Sequence, residues 1–328
     1  MRLFILLLAV LFFTGGSDTA AAFEGTDTIQ YFGYSNCIVL ENENTRVVLT
    51  THGGRLLEYS LKGENAIYLD PDQHGWTYVP GEPIVDPTGG RLDIGPEQIV
   101  PQRPELWLGQ WQGAVTGPRA ARLTSIEHPP TGVQLVRDFV LDANSSHLSV
   151  TQTIKNISAE TKNWCHWSRT FGLGGGIALI PLACQSRFPL EYIMYGPGPV
   201  LDYQPEDPNI RSRGGFIEIL RPPARPKLGF DSCAGWFSYL SQNDLLFVKR
   251  FPVYTDRVYN EMAGLTVSIY YPSSGFCELE PIGPREEIAP GSSASFTEDW
   301  WLLPYAYPAP GEDVDLESVS QLVDRQAR

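Results

Sequence analysis

Short segments in which apolar and polar residues alternate dominate the chain. The clearest two are 133–141 and 147–154, which the turn residues 142–145 separate. Alternation with period two puts successive side chains on opposite faces of a strand, so these segments predict a β-hairpin. Comparable runs predict further strands at 37–40, 46–49, 55–61, 105–108, 122–126, 216–220, 236–240, 245–251, 265–271, 276–279 and 295–303. Many strands separated by turns indicate an all-β sandwich or barrel.

Two proline-rich segments, 71–104 and 195–213, interrupt this pattern. They are predicted to be long loops, and loops of that length are usually functional or disordered. No internal repeat or linker divides the chain, so we predict one domain over 23–311. The remainder, 312–328, is a polar tail whose apolar residues have helix-like spacing.

The N-terminus has the features of a secretory signal. A positive start is followed by an unbroken apolar run at 3–13, then by Ala20-Ala21-Ala22. The run is short for a membrane span, and the alanines form an A-x-A cleavage site before Phe23. We therefore predict a signal peptide over 1–22 and a mature protein that is periplasmic or extracellular. A short membrane anchor is the alternative.

Charge and cysteine content narrow the possible partners. The chain has 24 Lys+Arg against 38 Asp+Glu, a net charge of −14, and no basic run. Nucleic acid and, after signal cleavage, the membrane are therefore excluded as expected partners. The five cysteines include no C-x-x-C pair, so a zinc site is disfavoured. Their odd number leaves at least one unpaired within the chain, and any disulfide pairing stays open.

Cofactor motifs are incomplete. The segment 171–176 begins like a glycine-rich nucleotide loop, but Ile177 stands where the last glycine belongs and no helix pattern follows. The five histidines have no H-x-H or H-x-x-x-H spacing. We therefore predict neither a nucleotide nor a metal cofactor.

Two short segments carry candidate chemistry. Glu278 and Glu280 are two residues apart on a predicted strand, so they share a face, and burial of the pair would raise at least one pKa. The alternative is a solvent-facing strand face. Around His166, alternation puts Trp164 and Ser168 on one face and Cys165, Trp167 and Arg169 on the other. A histidine among tryptophans suits a sugar site, but it is also common in a packed core.

The order of these segments resembles the galactose-mutarotase-like superfamily of large β-sandwiches, which includes the aldose 1-epimerases. The resemblance extends over most of residues 30–305 and is closest to an uncharacterised bacterial branch. It rests on a Gly-Gly turn at 53–54, an N-x-S/T strand at 156–158 that leads to a histidine, a late L-E strand at 279–280 followed by proline, and a P-G turn at 290–291 before the last strand.

This resemblance implies a large antiparallel β-sandwich, the mutarotase-like supersandwich, with a carbohydrate as partner. It implies Glu280 as the base that takes the anomeric hydroxyl proton and His166 as the acid that protonates the ring oxygen. The expected substrate-binding residues are Arg55, Arg91, Trp167, Arg169 and Glu278.

The chain departs from the epimerase pattern at two of these positions. Trp167-Ser168-Arg169 follows the histidine where Tyr-Phe is expected, and Ile282 replaces a glutamine after the glutamate. An aldose 1-epimerase-like isomerase and a non-catalytic glycan-binding protein therefore both remain open, as does an accessory domain of polysaccharide metabolism. The sugar and the oligomeric state are not predicted.

Overall fold

The computed structural model describes residues 23–197 and 200–326. The predicted signal peptide lies outside the described residues. The strands, in chain order, are β1 (Thr26–Tyr31), β2 (Tyr34–Glu41), β3 (Thr45–Thr50), β4 (Arg55–Leu61), β5 (Glu64–Asn65), β6 (Gly90–Gly95), β7 (Gln112–Gly117), β8 (Ala120–Thr124), β9 (Val133–Leu141), β10 (Leu148–Asn156), β11 (Lys162–Leu173), β12 (Ile177–Pro181), β13 (Ile193–Tyr195), β14 (Leu201–Asp202), β15 (Ile210–Arg213), β16 (Phe216–Ile219), β17 (Lys227–Phe230), β18 (Trp236–Ser241), β19 (Leu245–Arg250), β20 (Val267–Tyr270), β21 (Phe276–Pro281), β22 (Glu286–Ile288) and β23 (Ser293–Pro304). The helices are α1 (Pro104–Leu108) and α2 (Leu316–Gln326), with 3₁₀ turns at Pro71–Gln73 and Met262–Gly264.

The strands form two large antiparallel sheets, which confirms the all-β sandwich. The first sheet has 13 strands, in the order β1-β2-β3-β4-β6-β11-β21-β20-β17-β13-β14, with β5 beside β4 and β22 beside β11. The second has ten, in the order β15-β16-β12-β18-β19-β23-β10-β9-β8-β7. The predicted hairpin is confirmed, since β9 and β10 pair from Leu141 opposite Leu148 to Val133 opposite Asn156.

The main core lies between the two sheets. Leu92 and Leu279 from the first sheet and Phe139, Phe247 and Trp300 from the second are buried there in one cluster. Because side chains alternate along a strand, the residues on either side of Leu279 point out of the sandwich. The first sheet therefore has an inner face in the core and an outer face that its long connections cover.

Helix α2 covers the outer face of the second sheet. Its apolar residues Val319 and Val323 are fully buried against Leu246, Val248 and Trp301. Neither helix is long and apolar enough to span a membrane in the part of the chain that the structure describes.

Three local predictions are wrong. The predicted loop 195–213 contains the short strands β14 and β15 and the last residue of β13. The segment 105–108, predicted as a strand, lies in helix α1, which Pro104 begins at the first helical position, where a missing N–H costs no hydrogen bond. The predicted loop 71–104 contains β6, a strand buried along its whole length. Its sequence Gly-Arg-Leu-Asp-Ile-Gly lacks the apolar content of a typical buried strand, because its outward-facing residues are charged.

Candidate functional site

Three neighbouring strands bring charged side chains together on the outer face of the first sheet. In the register of β6 and β11, Arg91 lies opposite Arg169, and in the register of β11 and β21, Phe171 lies opposite Glu278. Arg169, Phe171, Glu278 and Glu280 therefore share one face. Both glutamates have no exposed surface, and Arg91 is also fully buried. We call Arg91, Arg169, Glu278 and Glu280, with the Asp86 and Lys227 that cover them, the outer-face cluster.

Glu278 is held by two arginines. The Arg169 Nε lies 2.8 Å from Glu278 Oε1, and Arg169 Nη2 donates a hydrogen bond of 3.1 Å to Oε2. Arg91 Nη2 lies 3.8 Å from Oε1. The same Arg91 atom is 2.5 Å from Asp86, whose other oxygen is 3.6 Å from Arg169. Each arginine therefore joins Glu278 to the surface carboxylate Asp86.

Glu280 has a different environment. The Trp167 indole Nε1 donates a hydrogen bond of 2.7 Å to Glu280 Oε2. Two cations lie near the Trp167 ring, with the Arg169 guanidinium 4.9 Å and the Lys227 ammonium 4.8 Å from its centre. Glu280 Oε1 is buried and accepts no hydrogen bond from the described residues of 23–197 and 200–326. A fully buried carboxylate oxygen without a donor is costly, so this unpartnered atom needs an explanation.

The two glutamates have opposite pKa shifts. Burial raises the pKa of Glu278 to about 7, although Arg169 opposes the shift. Burial would also raise the pKa of Glu280, but Lys227, Arg169 and the Trp167 hydrogen bond together hold it below the usual value. Two neighbouring carboxyls with separated pKa values are the usual arrangement for one acid and one base.

Side chains from the long connections cover the cluster. Asp86 comes from the first proline-rich segment, and its side chain is 51% exposed. Lys227, at the start of β17, is 19% exposed and pairs with Glu97 at 2.9 Å. Both side chains therefore lie between the buried glutamates and solvent.

Comparison with solved structures identifies the architecture. The Slr1438 protein from Synechocystis sp. PCC 6803 superimposes with a TM-score of 0.57 at 15% identity, over 85% of this chain and 99% of that one. A galactose mutarotase-like protein from Lactobacillus casei ATCC 334 gives 0.57 at 13% identity, over 81% and 100%. A candidate aldose 1-epimerase from Escherichia coli K12 gives 0.51 at 14% identity, over 81% and 98%.

This chain has the galactose mutarotase-like fold. The resemblance predicted from the sequence is confirmed at the level of the fold. No protein-family model and no curated protein sequence matches the chain.

In this mutarotase-like fold, His166 and Glu280 lie on opposite faces of the first sheet, so the prediction that they act together in one site is wrong. His166 points into the core between the sheets, where its ring stacks on Phe296 at 5.7 Å and its Nε2 lies 3.2 Å from the Ala294 carbonyl oxygen. Its neighbour Trp167 is the residue that contacts Glu280. The physical reason is alternation, because adjacent residues of β11 point to opposite faces. Burial lowers the pKa of His166 to about 4, so the imidazole is neutral and has no proton to give at neutral pH.

The other predicted binding residues divide into two groups. Arg91, Trp167, Arg169 and Glu278 lie together with Glu280 in the outer-face cluster. Arg55 is buried beside the loop instead, and all three of its nitrogens are used. They donate hydrogen bonds to the carbonyl oxygens of His52 and Thr88 and to the Tyr34 hydroxyl. Arg55 therefore anchors the loop that ends at Thr88, next to Asp86, and none of these three hydrogen bonds goes to the outer-face cluster.

Sequence analysis missed two residues of the cluster, Asp86 and Lys227. Asp86 lies in a proline-rich segment with no periodicity, so nothing in the sequence indicates where it points. Lys227 lies opposite Tyr270, and Tyr270 lies opposite Glu278. The register of β17, β20 and β21 is therefore what places Lys227 near the glutamates. That register is set by tertiary pairing. In residues 23–197 and 200–326, the cluster included, no group of three or more His, Cys, Asp or Glu side chains has the arrangement of a metal site.

Proposed function

We propose that this chain is a carbohydrate-binding protein and that the outer-face cluster is its sugar site. The unpartnered Glu280 Oε1, fully buried among cations, carries the proposal. Sugar hydroxyls donate and accept hydrogen bonds at once. The cluster offers carboxylate acceptors on Glu278 and Glu280, with donors on Arg169 and Lys227 beside them.

The position of the charges supports a functional reading of the cluster. Desolvating an ion pair costs several kcal/mol per ion, and apolar residues in the same space are often as stable or more so. Four buried charges are therefore not required for the folding of a sheet face that loops cover. The similar structures include one named as a galactose mutarotase-like protein, which agrees with a sugar as the ligand class.

The proposal includes export. The predicted signal at 1–22 and the disulfide between Cys184 and Cys233 both fit an oxidising compartment. The check is the mass of the protein from the periplasm or medium of an expressing bacterium, expected to correspond to a chain that starts at Phe23. A mature protein that keeps its first 22 residues would contradict it.

The sugar site is tested by ligand-observed NMR and calorimetry with a panel of free monosaccharides and disaccharides. Glu280→Gln removes the charge of the unpartnered oxygen. Hydrogen bonds to charged groups contribute about 1.5–3 kcal/mol, so we expect about 10- to 100-fold weaker binding.

Glu218→Gln is the matched control. Glu218 is also fully buried and held by two arginines, Arg211 at 2.7 Å and Arg213 at 2.8 Å, but it lies in the second sheet. This variant should bind like the parent. If the parent binds no sugar of the panel or of a glycan array, or if Glu280→Gln and Glu218→Gln behave alike, the proposal is wrong.

A further inference from the structure

A cavity of about 440 Å³ lies at one end of the sandwich, and no residue of the outer-face cluster lines it. Three connections form it: 182–192 between β12 and β13, 231–235 between β17 and β18, and 251–266 between β19 and β20. Each connection runs from one sheet to the other. Small-molecule sites usually have volumes of about 300–1,000 Å³, so the cavity is large enough for a monosaccharide.

The first arginine of the cavity, Arg187, is held in place by the connections around it. The disulfide between Cys184 and Cys233 joins two of these connections at the cavity wall. Asp231 accepts hydrogen bonds from the Arg187 backbone N–H, at 2.8 Å, and from its Nε, at 3.1 Å. Arg187 Nη2 donates to the Gly264 carbonyl oxygen at 2.7 Å. The hydrogen bonds that Arg187 makes with described residues therefore leave its Nη1 uncommitted.

The second arginine, Arg257, is held in a similar way by the third connection. Its Nη2 donates hydrogen bonds to the Arg285 carbonyl oxygen, at 3.1 Å, and to Glu286 Oε2, at 2.7 Å. Its Nε and Nη1 have no acceptor in the part of the chain that the structure describes. Both guanidiniums are thus oriented by protein contacts before any ligand arrives, and such preorganisation lowers the entropic cost of binding.

Two tyrosines complete the cavity. The Arg257 guanidinium carbon lies 5.1 Å from the centre of the Tyr254 ring, and Tyr254 is 39% exposed. The Tyr259 hydroxyl accepts the Tyr254 N–H at 3.0 Å. Burial raises the pKa of Tyr259, so this hydroxyl keeps a proton that it can donate. The cavity therefore offers an exposed aromatic surface beside hydrogen-bond donors, which suits a ring with one apolar face and polar substituents.

The free donors indicate the charge of the ligand. Arginine nitrogens donate hydrogen bonds and never accept them, so the uncommitted N–H groups of Arg187 and Arg257 require acceptors on the ligand. A carboxylate supplies two acceptor oxygens in one plane and forms charge-assisted hydrogen bonds with guanidinium groups. Asp231 and Glu286 already offset much of the positive charge, so a monoanion fits better than the dianion of a phosphate ester.

We propose that this cavity binds a hexuronate, a sugar that carries a carboxylate at C6. The carboxylate contacts the free nitrogens of Arg187 and Arg257, and an apolar face of the ring packs on Tyr254. This is a second binding site, and it shares no residue with the outer-face cluster.

The experiment measures the binding of glucuronate and galacturonate by ligand-observed NMR and calorimetry in low-salt buffer, with glucose and galactose as their neutral counterparts. Arg187→Met and Arg257→Met each remove one guanidinium. Charge-assisted hydrogen bonds typically account for about 10- to 100-fold in affinity, so each variant should bind the uronates more weakly by that factor. Binding of the neutral sugars should not change. Sodium chloride should also weaken uronate binding to the parent, because salt screens exposed charges.

Arg122→Met is the matched control. Arg122 lies on β8 of the second sheet, is 54% exposed and pairs with Asp138 at 2.7 Å, whereas Arg187 is 60% exposed and pairs with Asp231 at 3.1 Å. The substitution changes the net charge equally but far from the cavity lining, so uronate binding should equal that of the parent. Thermal unfolding of each variant shows that it is folded. Arg257→Lys keeps the positive charge and should bind the uronates more tightly than Arg257→Met.

The outcomes separate this inference from the proposed function. Weaker uronate binding in Arg187→Met and Arg257→Met, with parent affinity in Arg122→Met and Glu280→Gln, supports the second site. If the parent binds no uronate, or if uronate binding falls in Glu280→Gln but not in the arginine variants, the second site is overturned. Neutral sugars that weaken in parallel with the uronates, or tighter arginine-dependent binding of glucose 6-phosphate, overturn the assignment of a carboxylate. The outer-face cluster keeps its own test, the loss of neutral-sugar binding in Glu280→Gln.

Discussion

The buried His166 makes a quantitative prediction about stability in acid. The unfolded chain binds a proton on this imidazole near the ordinary pKa of 6.5, whereas burial lowers the pKa in the folded protein to about 4. Between these values the unfolded state holds the proton and the folded state does not, so stability falls as the pH falls. At 1.36 kcal/mol per pKa unit, the loss over the whole window is about 3 kcal/mol, most of it reached by pH 4.5.

The assay is urea unfolding followed by tryptophan fluorescence at several pH values from 7.5 to about 4.5, on the parent and on His166→Gln. The glutamine side chain does not titrate, and its amide can still donate to the Ala294 carbonyl oxygen, the contact that His166 makes at 3.2 Å. Other groups titrate equally in both proteins, so their contributions cancel in the difference between the two unfolding free energies. Glu278, whose raised pKa changes stability with pH in the opposite direction, is one of them.

As the pH falls from 7.5 to about 4.5, we expect the unfolding free energy of the parent to fall by about 2.5 kcal/mol relative to that of the variant. Two curves that stay parallel over this range would refute the assignment of His166 to the core. The same variant also tests the prediction from sequence that His166 is the catalytic acid. If it were, His166→Gln would not catalyse anomer exchange. If His166 is a core residue, any exchange rate of the parent is unchanged in the folded variant.

Two further predictions concern interactions away from the sugar site. Lys249 and Glu298 form a fully buried ion pair of 3.1 Å between the sheets. Lys249→Met leaves the Glu298 charge uncompensated, so urea titrations should show an unfolding free energy lower by about 3–5 kcal/mol. Adding Glu298→Gln should restore much of this loss. The Cys184–Cys233 disulfide joins residues 49 apart in the sequence. By the loop-entropy relation, replacing both cysteines with serine should lower the unfolding free energy by about 4 kcal/mol. A decrease of less than about 1 kcal/mol would show that the bridge does not form.

Much of the fold could be predicted because local alternation is strong. Segments such as 133–141 and 236–240 carry their strand signal in their own residues, and the observed strands Val133–Leu141 and Trp236–Ser241 agree closely with it. The strand Gly90–Gly95 could not be predicted in the same way. Two of its six residues are leucine or isoleucine and the other four are glycines, an arginine and an aspartate, so its burial comes from the neighbouring strands and the covering loops.

The site was predicted in part, for the same reason. That Glu278 and Glu280 share a face follows from their spacing alone. That the face is buried, and that Lys227 and Asp86 complete it, depends on a loop and on strand register, which are decided by contacts distant in sequence. The solvent-facing alternative was reasonable from sequence, since nothing near residue 280 indicates the proline-rich segment that covers it.

Alternation along β11 decides which chemistry this mutarotase-like fold can offer. Trp167 contacts Glu280 and Arg169 contacts Glu278, so the odd-numbered positions of this strand face the outer cluster. His166 occupies an even position and contacts the core, and a shift of one residue in register would exchange the two sets. A proton donor for Glu280 must then come from another strand or from its own. Glu278 shares the outer face of β21 with Glu280, and burial raises its pKa to about 7, so it is a carboxyl on that face whose protonation changes near neutral pH, whereas Trp167 donates a non-acidic indole N–H.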